Sequence, residues 1–216
     1  MCTILPAVLA HDEHDFKAHI LHHGLRAVAP VWHVDILDGT MFHATCWADP
    51  AVVGTWSNLP EIEIHVMSQN PLPHIQSWME HVPQMRQVII HAEIARPLGA
   101  VVERAPGIHF TLALNPETDV DVPHAHYHLF DRVQIMGVHP GASGQPFLGE
   151  PVLSKIRRLA ARYPHFAATH AIDVDGGVSA ATIEALIAAG ASRLVASSAL
   201  WSAADPAEAY AQLQGH

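Results

Sequence analysis

The chain has 216 residues, half of them hydrophobic, which fits one large domain or two small ones with a sizeable core. Its 21 acidic residues outnumber 11 basic ones, and no basic run occurs, so the electrostatic footprint of a nucleic-acid binder is missing. Two cysteines, Cys2 and Cys46, make neither a disulfide framework nor a zinc ribbon, and there is no signal-like start or bilayer-length apolar run. These features predict a soluble, cytoplasmic protein with no nucleic-acid or membrane partner.

In chain order, TILPAVLA (3–10) predicts the first strand, and a helix follows over FKAHILHHGLRAV. Histidines 11, 14, 19, 22 and 23 lie at helical spacing among Asp, Glu and Lys, which reads as a solvated helix face. VWHVDIL (31–37) predicts the second strand. Side chains two apart on a strand share a side, so His33 and Asp35 share one environment. EIEIHVM (61–67) predicts a third strand carrying His65, a helix over HIQSWMEHV follows, and QVIIHAE (87–93) predicts the fourth strand. HFTLALN (109–115) predicts the fifth. The stretch PETDVDVPHAHYHLF is a poor helix, and 119–130 reads as a solvated loop.

RVQIMGV (132–138), HAIDVDG (170–176) and SRLVAS (192–197) predict the last three strands, with helices over EPVLSKIRRLAARY and SAATIEALIAAG between them. Eight alternations of strand and helix, with no linker-like stretch, predict a single (β/α)₈ TIM barrel spanning 1–216.

The polar residues interrupting these strands recur at their C-terminal ends: His33 and Asp35, His65, His91 and Glu93, Asn115, His139, Asp175. That rim is where a barrel builds its active site. Buried carboxylates need partners, and a barrel axis offers few besides a cation. His33, Asp35, His65 and Asp175 together suit one divalent ion, Zn²⁺, Fe²⁺, Mn²⁺ or Co²⁺. An ion flanked by two carboxylates can stabilise an enediolate, while one aspartate removes a proton and the other returns it to the opposite face, which is epimerisation. The Gly-rich GVHPGASGQPF (137–147) after the sixth strand, DGGVS (175–179) after the seventh and ASSA (196–199) after the eighth stand where barrels bind phosphate, so a phosphorylated substrate is expected.

These segments resemble the ribulose-phosphate 3-epimerases. WHVDILDG is similar to their VHVDVMDG, IEIHVMSQNP to DVHLMVxNP, VIIHAE to ITFHAE, LALNPET to ALNPxT, IMGVHPGASGQPFL to VMTVNPGFGGQxF and AIDVDGGVSAATI to IEVDGGVNxxTI, in order over nearly the whole chain. The resemblance implies His33, Asp35, His65 and Asp175 as metal ligands, Asp35 and Asp175 as the acid/base pair, and D-ribulose 5-phosphate as substrate. It implies Gly141, Gly144, Gly176, Gly177 and Ser198 around the phosphate, Met67 and Met136 in the pocket near the metal, and a homo-oligomer, commonly a dimer or hexamer. Gln145 matches the Gln that follows the family's paired glycines. The chain departs from the pattern at Ala7, where the family has Ser, at Met41, His43 and Ala44, at His139, Ala142 and Ser143, and at Ser197. Most of these changes lie on substrate loops, so the same chemistry on allulose 6-phosphate or another ketose is an alternative, as is a non-catalytic metal-binding barrel. A metal-dependent hydrolase is disfavoured, because the HxH pair of such barrels is missing from the first strand.

Overall fold

A computed structural model describes residues 2–216. Its eight strands are β1 (Thr3–Val8), β2 (Val31–Leu37), β3 (Glu61–Met67), β4 (Met85–His91), β5 (His109–Leu114), β6 (Arg132–Met136), β7 (Ile172–Asp175) and β8 (Arg193–Ala196). Each pairs in parallel with the next, and β8 pairs with β1, so the sheet closes into a barrel. The bounds of β2 and β3 coincide with the sequence expectation, while β1, β5, β6, β7 and β8 are shorter and β4 begins and ends two residues earlier. Among the described residues no helix is long and apolar enough to cross a membrane.

Strand periodicity divides the residues between two environments. On β2, Trp32, Val34 and Ile36 join the main apolar core between barrel and helices, and on β3 Ile62, Ile64 and Val66 do the same. The alternate residues His33, Asp35 and Leu37, and Glu63, His65 and Met67, therefore point to the barrel axis. The axis holds one small apolar cluster, Ile89, Ala113 and Met136. Much of the remaining interior is polar, with His33, Glu63, His65, His91, Thr111, Gln134 and Asp173 all nearly inaccessible.

The helices complete the outer layer. In Glu150–Arg162 the buried Val152, Ile156 and Leu159 fall on one face at helical spacing. The C-terminal helix Pro206–Gln214 is capped by Asp205, whose side chain accepts from the N–H groups of Ala207 and Glu208. Tyr210 on that helix donates to the Ile4 carbonyl at 3.3 Å, tying the helix to β1.

Three expectations are corrected. The single helix over 16–28 is two shorter ones, Glu13–Ile20 and His23–Arg26, because the chain turns at Leu21 and the His22 imidazole accepts from the Leu25 N–H to start the second. His19 is also not simply solvated, since it stacks on Trp201 at 4.1 Å. The segment 119–130 is not a solvated loop: it holds a 3₁₀ turn, His124–Leu129, and buries Val120, Tyr127 and Phe130. Tyr127 packs edge-on against Tyr163 and Phe166 and donates to the Val120 carbonyl, so its aromatic bulk anchors the segment despite the surrounding histidines.

The rim depends on a close backbone approach. A Cβ at Gly137, just past β6, would lie 2.1 Å from the Gly176 carbonyl oxygen, and one at Gly177 would lie 2.7 Å from the Phe147 side chain. Gly176 and Gly177 also have φ of 97° and 72°, which side chains disfavour. Gly137→Ala should therefore lower stability to urea by about 1–3 kcal/mol, the usual cost of forcing atoms into a packed site. An unchanged unfolding midpoint would contradict this contact.

Candidate active site

Toward the C-terminal end of the strands four side chains from three strands converge on the axis. His33 and Asp35 come from β2, His65 from β3 and Asp175 from the last position of β7. One donor atom from each lies within 4.8 Å of the others. Each imidazole touches both carboxylates: His33 Nε2 is 3.4 Å from Asp35 Oδ1 and 3.7 Å from Asp175 Oδ2, while His65 Nδ1 is 3.2 Å and 3.1 Å from the same oxygens. The two aspartates share the imidazole pair between them.

Burial is the largest influence on both histidines and opposes their protonation, yet Asp35 and Asp175, joined at His33 by Glu63, outweigh it and raise both pKa values. Burial likewise opposes ionisation of Asp35, but the close His33 and His65 imidazoles hold its pKa well below the usual range. The cluster thus favours positive charge at its centre.

This donor set fits a divalent cation. Ligands about 2.1 Å from one ion stand about 3.0–3.4 Å apart when adjacent, close to the spacing here. His33 Nε2 and Asp35 Oδ1 are buried without a hydrogen-bond partner, and a buried polar atom left so is costly. Two imidazoles and two carboxylates suit zinc, iron, manganese or cobalt.

Each histidine is held from behind. His33 Nδ1 donates to Glu63 Oε1 at 2.7 Å, and Glu63 is bound on its other side by Arg193. Burial works against Glu63's ionisation, but Arg193 and His33 overcome it and bring its pKa down to about 2. His65 Nε2 lies 2.8 Å from His91 Nε2, and His91 Nδ1 lies 3.3 Å from Glu93 Oε2. Glu93 in turn accepts from the Asn115 N–H and the Thr118 hydroxyl. Burial lowers the His91 pKa. Neutral His91 accepts from His65 and donates to Glu93, an arrangement that leaves His65 Nδ1 free toward the aspartates. Gln134 Nε2 donates to Asp175 Oδ2 at 3.2 Å.

Above the four lies a solvent-open cavity of about 580 Å³. Its floor holds Asp35 and Asp175, its walls include Ala7, Met67 and Met136, and its far side is formed by Gly141, Ser143, Gly144, Gln145, Gly176, Gly177, Ser197 and Ser198. The structure thus gathers every residue expected at the substrate. The loop after β6 meets the end of β8 through Ser143 Oγ and Ser197 Oγ, 3.0 Å apart. His139, one of the strand-end residues, instead lies at the exposed rim, 3.1 Å from Glu117. Glu63, Gln134, Asp173 and Arg193 were missed by the sequence reading. Period two could have found three of them, since Glu63, Gln134 and Asp173 stand two residues before His65, Met136 and Asp175.

The sequence profile described as the ribulose-phosphate 3 epimerase family matches residues 2–201. The chain belongs to that family. A ribulose-phosphate 3-epimerase of Mycobacterium leprae is 32% identical, covering 98% of this chain and 93% of that protein, and one of Bacillus subtilis is 30% identical, covering 85% of each. Family membership makes the protein an isomerase, in line with the expected carbohydrate epimerase. Among solved structures, orotidine 5'-phosphate decarboxylase from Pyrococcus horikoshii matches with a TM-score of 0.66 at 14% identity, over 99% of this chain and all of that one. Thiamine phosphate pyrophosphorylase from Pyrococcus furiosus matches at 0.64 and 13%, over 99% and 94%. At such identity these two show a shared barrel fold only.

The fit of the donors predicts that His33→Ala and His65→Ala each lower the divalent metal bound per folded chain, read by elemental analysis. Unchanged metal content in both would exclude this ligand set.

Proposed function

We propose that the chain interconverts D-ribulose 5-phosphate and D-xylulose 5-phosphate by inverting C3, with His33, Asp35, His65 and Asp175 holding one divalent ion and the two aspartates moving the proton. The observation that carries this reading is that Asp35 and Asp175, from different strands, both contact the imidazole pair and both open onto one cavity. A single carboxylate can exchange a proton on one face only. Two that flank the substrate can take it from one face and return it to the other.

A divalent ion at the site would supply a Lewis acid that draws negative charge onto substrate oxygens. The chain's own residues do the rest. One aspartate takes the C3 proton, the other delivers a proton to the opposite face, and the reverse reaction exchanges their roles. Glu63 and His91 keep the imidazoles aligned, and Gln134 holds one Asp175 oxygen. Met67, Met136 and Leu37 give the reacting carbons an apolar wall, which limits unwanted protonation by water. The glycines at 141, 144, 176 and 177 let backbone come close to the phosphate, and the Ser197 and Ser198 hydroxyls can donate to it. Anchoring at that end sets C3 between the carboxylates.

Cytoplasmic placement, in keeping with the free thiols Cys2 and Cys46, and homo-oligomeric assembly belong to the same proposal.

Initial rates of D-ribulose 5-phosphate epimerisation should fall by about 10²–10⁴-fold or more in Asp35→Asn and in Asp175→Asn, the usual contribution of a general acid or base, with circular dichroism unchanged. Wild-type rates in either variant would exclude the two-aspartate mechanism.

A further inference from the structure

Beneath His33 a row of buried charges crosses the barrel, and the proton transfers above do not use it. Arg193, on β8, is 9% exposed. Its guanidinium forks, Nη1 donating to Asp173 Oδ2 at 2.7 Å and Nη2 to Glu63 Oε2 at 2.5 Å. Glu63, 1% exposed, turns its other oxygen to His33 Nδ1 at 2.7 Å. Asp173 is held from its other side by Arg132 Nη1 at 3.3 Å. The row thus joins five strands.

Stability alone does not account for such a row, because well-packed apolar residues in place of a buried ion pair are often equally or more stabilising. What the row does control is direction. Arginine only donates, so Glu63 Oε2 accepts from it and the Glu63 carboxylate stays aimed along the row. Its free oxygen then accepts from His33, which places the imidazole proton on Nδ1. In the neutral ring, the form that binds a metal, the lone pair is then left on Nε2, the atom that faces Asp35 and Asp175 and has no hydrogen-bond partner. Had the proton been on Nε2, that atom could not bind a cation.

We propose that Arg193 is a positioning residue of the metal site, holding Glu63 so that His33 keeps its proton on Nδ1 and offers Nε2 to a divalent ion. Arg193 itself reaches neither ion nor substrate. The inference rests on the metal-site reading given above.

The test uses the full chain as wild type, Arg193→Lys, Glu63→Gln and the double variant Arg193→Met/Glu63→Gln. Two quantities are read: Zn²⁺ affinity by chelator competition, and the His33 tautomer in metal-free protein by ¹⁵N NMR at a pH high enough for the imidazole to be neutral. In Glu63→Gln the guanidinium compels the new amide to turn its oxygen toward Arg193 and its NH₂ toward His33. The imidazole proton should move to Nε2 and zinc affinity should fall at least about 10–100-fold, the usual loss when a ligand's hydrogen-bond partner is removed. In the double variant the amide is free to turn over, so the Nδ1 proton and much of the affinity should return. Arg193→Lys keeps a cationic donor and should retain the wild-type tautomer.

Equal affinity and the same tautomer in Glu63→Gln and the double variant would overturn the proposal. Should the double variant fail to fold, an Nδ1 proton or undiminished zinc affinity in Glu63→Gln would overturn it as well. Failure of the wild type to bind zinc would instead remove the metal-site reading, and the tautomer measurement would still judge Arg193.

Discussion

Two carboxylates and two imidazoles brought together at the axis of a closed barrel are a costly arrangement in a medium of low polarity. His33 and His65 have no exposed surface, and Asp35 is 9% exposed. Such groups are tolerated when a cation can sit among them and when every remaining polar atom is held. Much of the interior answers to that requirement. Glu63 and His91 hold the far nitrogens of the two histidines, Glu93 backs His91, Gln134 reaches Asp175, and Arg193 with Asp173 closes the row below. Barrel interiors are more often filled with branched apolar side chains; here Leu5, Ile89, Ala113, Met136 and Val195 share the interior with buried His33, Glu63, His65, His91, Gln134 and Asp173.

The fold makes the arrangement possible through parallel pairing. All eight strands end at the same rim, so residues far apart in sequence, such as Asp35 and Asp175, meet over a few ångströms. The loops leaving that rim then supply a different chemistry. Gly137 approaches the Gly176 carbonyl, Gly177 approaches Phe147, and the glycine-rich loop after β6 reaches Ser197. The proposed ligands sit on strands, where packing fixes them, and the surfaces proposed to contact a substrate sit on loops, which can vary without disturbing the ligands. The departures of this chain from the family pattern at Ala142, Ser143 and Ser197 fall on those loops, while the four ligand positions match it.

The four donors were legible because period-two alternation is short-range: His33 and Asp35 reveal their shared face within VWHVDIL, and the bounds of β2 and β3 follow from the same pattern. Glu63 was equally readable by that rule, two residues before His65, but a charge early in a strand reads as a solvated edge until the barrel is closed. Arg193 had no local signal. Its partner Glu63 lies 130 residues away, and only closure of β8 against β1 brings them together. The helix over 16–28 broke at a capping contact by His22, and the 119–130 segment was buried by Tyr127, an aromatic whose effect depends on partners contributed from Tyr163 and Phe166. Local patterns exposed the strands and the ligands; contacts across the barrel decided the groups that support them.

The measurement that bears most directly on this account is ¹H NMR of D-ribulose 5-phosphate incubated in D₂O with the protein loaded with a divalent metal. The account requires the C3 proton to be lost to an aspartate and replaced from the opposite side, so D-xylulose 5-phosphate should form with deuterium at C3, and removal of the metal by chelation should stop it. Epimer formed with the original proton retained in full, or undiminished turnover in metal-free protein, would contradict the paired-aspartate metal site.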